Sequence, residues 1–137
     1  MGKKFAIGMG IKQILPDTNV LILGFKNEEP YASFLRKAIT EKKLVFSSVV
    51  VAEYLVGATD DQEKVLNALT SQFKVLPVDL PVAQLGAFYR KKYIKRGKKL
   101  ALPDCFIGAT CKIYNLVLLT LDKKDFPMQD IEIIEKI

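Results

Sequence analysis

Short apolar runs alternate with longer amphipathic segments along most of this chain. Apolar residues at 11–16, 44–46, 75–78, 115–120 and 131–134 form runs with the length and composition of β-strands. The segments between them place apolar residues three and four positions apart, which is the spacing of one buried helix face. Strands separated by helices predict an α/β fold. We expect a three-layer α/β/α domain with a central, mostly parallel sheet of four to five strands.

Residues that favour helix ends set the limits of six predicted helices. These helices cover residues 20–25, 30–43, 49–56, 60–73, 80–96 and 102–114. Ser47 or Ser48 caps the third helix, because either hydroxyl can accept a hydrogen bond from a free N–H of the first turn. In the fourth helix, the helical period predicts that Val65, Leu66 and Leu69 point inward.

The composition is that of one domain. With 137 residues, 50% of them hydrophobic, the chain can form a core without disulfides. We expect a single domain over residues 1–137, in which residues 1–10 form an N-terminal extension. Cys105 and Cys111 share a predicted helix but face different sides, so they cannot pair with each other. No apolar run reaches the ~18–20 residues that span a bilayer. We therefore expect a cytoplasmic protein with no membrane contact.

The net charge of +6 is concentrated in one segment, residues 90–99. Its cationic residues are Arg90, Lys91, Lys92, Lys95, Arg96, Lys98 and Lys99, with Tyr93 among them. This density suits attraction to a phosphate backbone, and Tyr93 could stack on a base. A solvated helix end is the alternative, because Lys and Arg also favour the last turn of a helix. The sequence favours contact with nucleic acid.

Four carboxylates stand at positions that suit a binding site. Asp17 and Asp122 each follow an apolar strand, Glu53 lies in an apolar helix, and Asp104 begins a helix. Each also has a structural explanation as a cap, a turn residue or an exposed side chain. Together, these positions point to one crevice at the carboxyl ends of the strands. Clustered carboxylates are tolerated around a divalent cation, and oxygen ligands suit Mg²⁺ or Mn²⁺.

The chain contains no histidine, which restricts the chemistry available to it. Ser-His and Cys-His arrangements for nucleophilic catalysis are excluded, and so is an imidazole general base. Water activated by a metal ion is then the favoured route to hydrolysis. A phosphomonoesterase with an aspartyl nucleophile is disfavoured, because Asn19 occupies the position where a second Asp would be needed.

The order of these residues resembles that of a PIN domain. The matching segments are Asp17-Thr18-Asn19 after the first strand, Glu53 in 48–53, Asp104 at a helix start, and residues 120–126. The resemblance covers Gln13 to the end of the chain and is strongest to the short VapC-type toxins. It implies a Mg²⁺- or Mn²⁺-dependent endoribonuclease that is inhibited by a cognate antitoxin and is commonly a homodimer.

The resemblance also implies roles for individual residues. Asp17, Glu53 and Asp104 match the three core acids of the family, and Asp122 matches the fourth. The supporting positions are Thr18, Asn19, Thr120 and Asp125. Our hypothesis is that Asp17 and Asp104 bind the metal directly and that Asp122 and Glu53 complete the site, partly through water.

Two features depart from the family pattern and one alternative function stays open. About ten residues precede the first strand, and Leu121 stands where such toxins often have a basic residue. The alternative is a non-catalytic RNA-binding module, in which the acids are caps and the 90–99 run binds RNA. Binding of a divalent cation distinguishes the two functions.

Overall fold

In the part of the chain that the structure describes, the fold is built on five short strands, which pair in parallel. We analysed a computed structural model, which describes residues 12–135 and residue 137. The predicted extension of residues 1–10 lies outside this range. The strands are β1 (Ile14–Pro16), β2 (Phe46–Ser47), β3 (Val75–Leu76), β4 (Val117–Leu119) and β5 (Glu132–Ile134). β1, β4 and β5 form one sheet with β4 in the middle, while β2 pairs with β3.

A single parallel bridge between Ile14 and Leu44 joins the two sheets. The order across the joined sheet is therefore β3-β2-β1-β4-β5. Successive strands run outward from β1 in one direction, and the chain then returns to the other side of β1 with β4. Such a reversal is the place where open α/β sheets bind ligands, outside the carboxyl ends of the two strands. The predicted α/β fold with a parallel sheet is confirmed.

Six helices connect the strands, at the places that the sequence predicts. They are α1 (Thr18–Phe25), α2 (Tyr31–Thr40), α3 (Ser48–Val56), α4 (Asp60–Thr70), α5 (Leu80–Ile94) and α6 (Leu102–Ile113). A 3₁₀ helix at Lys123–Asp125 lies between β4 and β5. Ser47 is the residue that caps α3, since its hydroxyl accepts a hydrogen bond from Val49 N–H at 3.1 Å.

One part of the prediction for α4 is wrong. Val65 is 48% exposed, while its neighbour Leu66 is fully buried. Consecutive residues of a helix point about 100° apart, so a narrow buried stripe accepts one of the two and leaves the other in solvent. The helix also ends at Thr70, earlier than predicted. The hydroxyls of Thr70 and Ser71 donate back to the carbonyls of Asn67 and Ala68 there, which stabilises the turn that ends the helix.

The hairpin of α5 and α6 is the most closely packed pair of helices. Gly86 makes this possible, because a Cβ at that position would lie 2.6 Å from Cδ1 of Phe106. Gly97 in the connection has φ +80°, which suits glycine, and Lys98 N–H donates to Tyr93 O across the turn. The carboxyl-terminal half of α5 therefore lies beside the first turns of α6. Within the described residues, no helix has the length and apolar character that a membrane crossing requires.

Candidate active site

Asp17 connects the end of β1 to the start of α1. Its Oδ1 accepts a hydrogen bond from Thr18 N–H at 2.8 Å, as expected of a helix cap. Its Oδ2 accepts one from the hydroxyl of Thr120 at 3.0 Å. The backbone N–H of Asp17 donates to Leu119 O at 2.8 Å, so β1 and β4 are still joined where the carboxylate begins. The cap and the site are thus two roles of the same carboxylate, one for each oxygen.

Thr120 links the two strands at the reversal point of the sheet. It follows β4 and is fully buried. Its hydroxyl donates to Asp17 and accepts from the N–H of Asp122 at 3.1 Å. One buried side chain therefore fixes the orientation of Asp17 and the start of the segment that carries Asp122.

Glu53 reaches the site from α3, although it is an exposed residue. Its Oε1 accepts a hydrogen bond from the hydroxyl of Thr18 at 2.7 Å. The sequence left open whether Glu53 is an exposed residue of an apolar helix, and its side chain lies on the solvent side of α3. The contact with Thr18 ties it to the residue that follows Asp17.

Asp104 is the most perturbed of the acids. It lies in the first turn of α6 and is partly buried. Its pKa is raised from 3.8 to about 7, chiefly by burial and then by the charges of Asp17, Asp125, Glu53 and Asp122, in that order. All five carboxylates therefore act on the same region. Asp17 and Asp104, whose mutual proximity the hypothesis requires, are close enough for their charges to interact.

The pKa of Asp17 is raised as well. Burial is the largest cause, and the charges of Glu53 and Asp125 add to it. The hydrogen bonds from Thr18 and Thr120 act in the opposite direction, because they stabilise the ionised form. Ionised carboxylates in this crevice thus repel one another.

The remaining predicted residues divide into two groups. Asp122 and Asp125 are partly buried at either end of the 3₁₀ helix, where Asp125 N–H donates to Asp122 O at 2.9 Å. Asn19 is exposed in the first turn of α1. Leu121 packs against the hydrophobic core. The structure thus gathers five acids and two threonines, while Asn19 and Leu121 lie at the edge of the group.

The candidate ligand atoms of the site suit a hard divalent cation. All the candidate ligands are carboxylate or hydroxyl oxygens, which Mg²⁺ and Mn²⁺ prefer. Among the residues that the structure describes, however, no three acidic, His or Cys side chains have the spacing of a formed metal site. Carboxylates that repel one another are expected to stay apart until a cation compensates their charge.

The basic run divides between two faces of α5. Arg90 is partly buried, and its charge opposes the rise in the pKa of Cys105 that burial and Asp104 cause, so it points toward α6. A groove of about 740 Å³ lies on another face, lined by Gln84, Ala87, Phe88, Lys91, Lys92, Lys95 and Arg96. Lys98 and Lys99 are exposed beyond the helix end. Phe88 is 58% exposed and was not singled out from the sequence, although its spacing to Lys91, Lys92 and Lys95 places it on their face.

Tyr93 does not have the surroundings of a base-stacking residue. Its side chain is buried, and its hydroxyl donates to Pro127 O at 2.9 Å. Lys92 and Arg96 each place their charged group 5.6 Å from the centre of its ring. The prediction that Tyr93 stacks on RNA is therefore contradicted by its burial, and the ring supports the cations instead.

Comparison with known proteins agrees with this fold. A family model described as the PIN domain matches residues 14–131. Ribonuclease VapC10 of Mycobacterium tuberculosis is 28% identical over 115 residues, which cover 84% of this chain and 86% of that protein. Toxin FitB of Neisseria gonorrhoeae is 29% identical over 133 residues, which cover 88% and 95%. A toxin–antitoxin complex from Klebsiella pneumoniae contains a chain with a TM-score of 0.71 and 27% identity, covering 89% of this chain and 96% of that one.

The parallel sheet and the carboxylates at its reversal point define an α/β protein with an acidic crevice between β1 and β4. The family match covers β1 to β4 and ends immediately before β5. The chain belongs to the PIN domain family.

Proposed function

We propose that this chain is a metal-dependent endoribonuclease and the toxin of a type II toxin–antitoxin pair. It acts as a single domain in the cytoplasm and hydrolyses RNA phosphodiester bonds. The observation that carries the proposal is the meeting of five carboxylates around Asp104, whose pKa is raised to about 7 by burial and by the four other acids, in a chain without histidine. The similarity to a named ribonuclease and a named toxin supports the same activity.

Asp17 and Asp104 are the residues that would hold a Mg²⁺ or Mn²⁺ ion directly, with Asp122 and Glu53 contributing oxygens or binding its water. A bound divalent cation supplies an activated water and stabilises charge on the phosphoryl oxygens. Thr18 N–H and the Thr120 hydroxyl orient Asp17 and favour its ionised form. The Thr18 hydroxyl orients Glu53.

The groove on α5 supplies the contacts to the RNA backbone. Lys91, Lys92, Lys95 and Arg96 line it, and such a group of cations attracts phosphates without regard to sequence. Arg90, Lys98 and Lys99 extend the positive surface toward α6. Since the carboxyl-terminal half of α5 lies beside the first turn of α6, these cations are near the helix that carries Asp104.

A cognate antitoxin and a second copy of the chain are the proposed protein partners. The solved Klebsiella pneumoniae structure is a toxin–antitoxin complex that contains a chain with a similar fold, which supports the antitoxin as a partner. Exposed apolar side chains support protein contacts in general, with Val56 90% exposed and Leu80 69% exposed. Co-expression with the product of the neighbouring gene and measurement of the mass in solution test both. A monomer that captures no antitoxin would contradict them.

Two isosteric substitutions test the enzymatic activity. Asp17→Asn and Asp104→Asn each remove a charge from the proposed metal ligands, and both should abolish cleavage of single-stranded RNA in Mn²⁺. Asp17→Asn is preferred to Ala because Asn still caps a helix. Asp61→Asn, in the exposed first turn of α4, is the control and should cleave normally. Full cleavage by both site variants, or by the wild-type chain in EDTA, would refute the assignment.

The cationic groove also supports a second function, RNA binding without cleavage. In that case the acids serve only as caps and turn residues. A titration with Mn²⁺ distinguishes the two, because a non-catalytic module should show no saturable binding, whereas the nuclease should bind one or more ions competitively with Mg²⁺.

A further inference from the structure

Two buried tyrosines of α5 hold the loop that carries two of the site acids. We call residues 121–131, which join β4 to β5, the acidic loop. The hydroxyl of Tyr93 donates to Pro127 O at 2.9 Å, and that of Tyr89 donates to Asp130 Oδ1 at 2.8 Å. Tyr89 is 2% exposed and Tyr93 7% exposed. Neither hydroxyl depends on solvent, so both are committed to the loop.

A third contact comes from the end of α5. The ammonium of Lys98 donates to the carbonyl of Lys124, which lies within the 3₁₀ helix of the acidic loop. The three accepting residues, Lys124, Pro127 and Asp130, are spaced three apart. One side of the loop thus runs along the carboxyl-terminal half of α5 and the connection that follows it, beginning two residues after Asp122.

The other side of the loop is anchored on α6. Phe126 and Met128 are buried, and the side chain of Met128 lies so close to Gly108 that a Cβ there would be 3.1 Å from its methyl carbon. Gly108 is four residues after Asp104, so both lie on the same face of α6, one turn apart. The loop is therefore fixed against the helix face that presents Asp104.

We propose that the hydroxyls of Tyr93 and Tyr89 are positioning groups, which hold the acidic loop so that Asp122 and Asp125 face Asp104. The affinity of the acid cluster for a divalent cation then depends on two residues that touch neither the ion nor the RNA. The effect on cation affinity rests on the metal-dependent function proposed above. The positioning of the loop does not.

The chemistry of both tyrosines suits this role. Burial raises the pKa of Tyr89 well above its ordinary range, and Asp130 raises it further, so the hydroxyl keeps the proton that it donates. Tyr93 donates to a backbone carbonyl. This acceptor does not titrate, so a change of pH leaves it in place. Groups that orient the ligands of a metal commonly change its affinity by about tenfold or more when they are lost.

Tyr93→Phe and Tyr89→Phe test the proposal, because each removes one hydroxyl and keeps the ring. Tyr114→Phe is the matched control, since its hydroxyl bonds to Asp79, which caps α5 at the opposite end from the loop contacts. In the metal-free chain, amide hydrogen exchange should be about three- to tenfold faster at Asp125 and Phe126 in the two test variants. The control should exchange there as the wild type does. Unchanged exchange in both folded test variants would overturn the proposal.

Titration with Mn²⁺ tests the link to the metal. The dissociation constant should rise about three- to tenfold in Tyr93→Phe and Tyr89→Phe and stay constant in Tyr114→Phe. RNA affinity in EDTA should not change in Tyr89→Phe, because the residues that line the cationic groove are intact. Faster exchange with unchanged Mn²⁺ affinity would overturn the link. A wild-type chain that binds no Mn²⁺ would overturn the proposed function, while the exchange rates would still decide the role of the tyrosines.

Discussion

Removing the charge of Asp104 should stabilise the metal-free protein, which is the opposite of the usual effect of mutating a site residue. The carboxyl has a pKa of about 7 in the folded chain, against an ordinary value of 3.8. Such a difference corresponds to at most ~4 kcal/mol against folding when the group is ionised. Solvent reaches part of the side chain, which reduces the effect to roughly 2 kcal/mol. The lost interaction with the α6 N-terminus subtracts about 0.5 kcal/mol. Asp104→Asn should therefore gain about 1.5 kcal/mol at pH 8.

The pH dependence follows from the sign of the shift. A raised pKa means that the folded chain binds the proton more tightly than the unfolded chain, so stability falls as the pH rises from about 4 to about 7. Asp17 contributes in the same direction. Glu29 and Asp79 have lowered pKa values, but they titrate below this range and act only in more acidic solution. The acid cluster thus dominates between pH 5 and pH 8.

Urea unfolding in EDTA at pH 5, 6, 7 and 8 measures this dependence. The wild type should lose stability toward pH 8, and Asp104→Asn should lose less over the same range, because only the contribution of Asp17 remains. Saturating Mn²⁺ should restore the stability of the wild type at pH 8 and have little effect on the variant. Asp61→Asn controls for the loss of an acid from a helix first turn and should be slightly destabilised. A wild type that gains stability from pH 5 to pH 8 would refute the electrostatic reasoning.

Three further predictions address the cap, the groove and the core. Asp17→Ala should lose about 1 kcal/mol of stability relative to Asp17→Asn, because α1 loses its cap; equal urea midpoints would exclude a capping role. Joint substitution of Lys91, Lys92 and Lys95 by Gln should lower the slope of log K for single-stranded RNA against log salt by about 2. The control, Lys37→Gln with Lys64→Gln, should leave the slope unchanged, and equal slopes in the two variants would place the RNA elsewhere. Leu66→Ala should cost about 2–5 kcal/mol and Val65→Ala less than about 1 kcal/mol, as thermal unfolding can show; similar costs would contradict their different burial.

Local signals in the sequence were sufficient for most of the fold. Three helices, α3, α4 and α5, are capped by the side chains of Ser47, Thr59 and Asp79. Each side chain accepts a hydrogen bond from a backbone N–H no more than three residues further along, so the start of the helix is set by local sequence. The apolar runs also predicted the strands from local sequence. A strand of a parallel sheet is buried on both faces, so its residues are apolar without alternation. Val65 shows where this reasoning ends. Which side of a helix is covered depends on the width of the partner surface, which no local pattern contains.

The sequence indicated which side chains lie close together, but not the contacts between them. Asp17 and Asp122 follow strands that the fold places side by side, so their approach follows from topology alone. The contacts from Thr18 to Glu53 and from Thr120 to Asp17 join residues 35 and 103 positions apart, and they require the packed structure. The contact of Tyr93 also requires the packed structure. The cationic residues beside it in the sequence suggested an exposed ring, whereas in the fold its hydroxyl donates to Pro127 O.

The partners of the site acids leave the negative charge of the crevice uncompensated within the described part of the chain. Within the described part of the chain, the ion pairs are Lys12 with Glu132 and Arg36 with Glu29, and neither includes a site acid. Asp17 and Glu53 are held by neutral donors, which orient a carboxylate without cancelling its charge. An arginine in the same place would have stabilised the empty crevice and competed with a metal ion. The arrangement therefore keeps its negative charge uncompensated at a cost in stability, and either a divalent cation or a cationic side chain of a partner protein can relieve it.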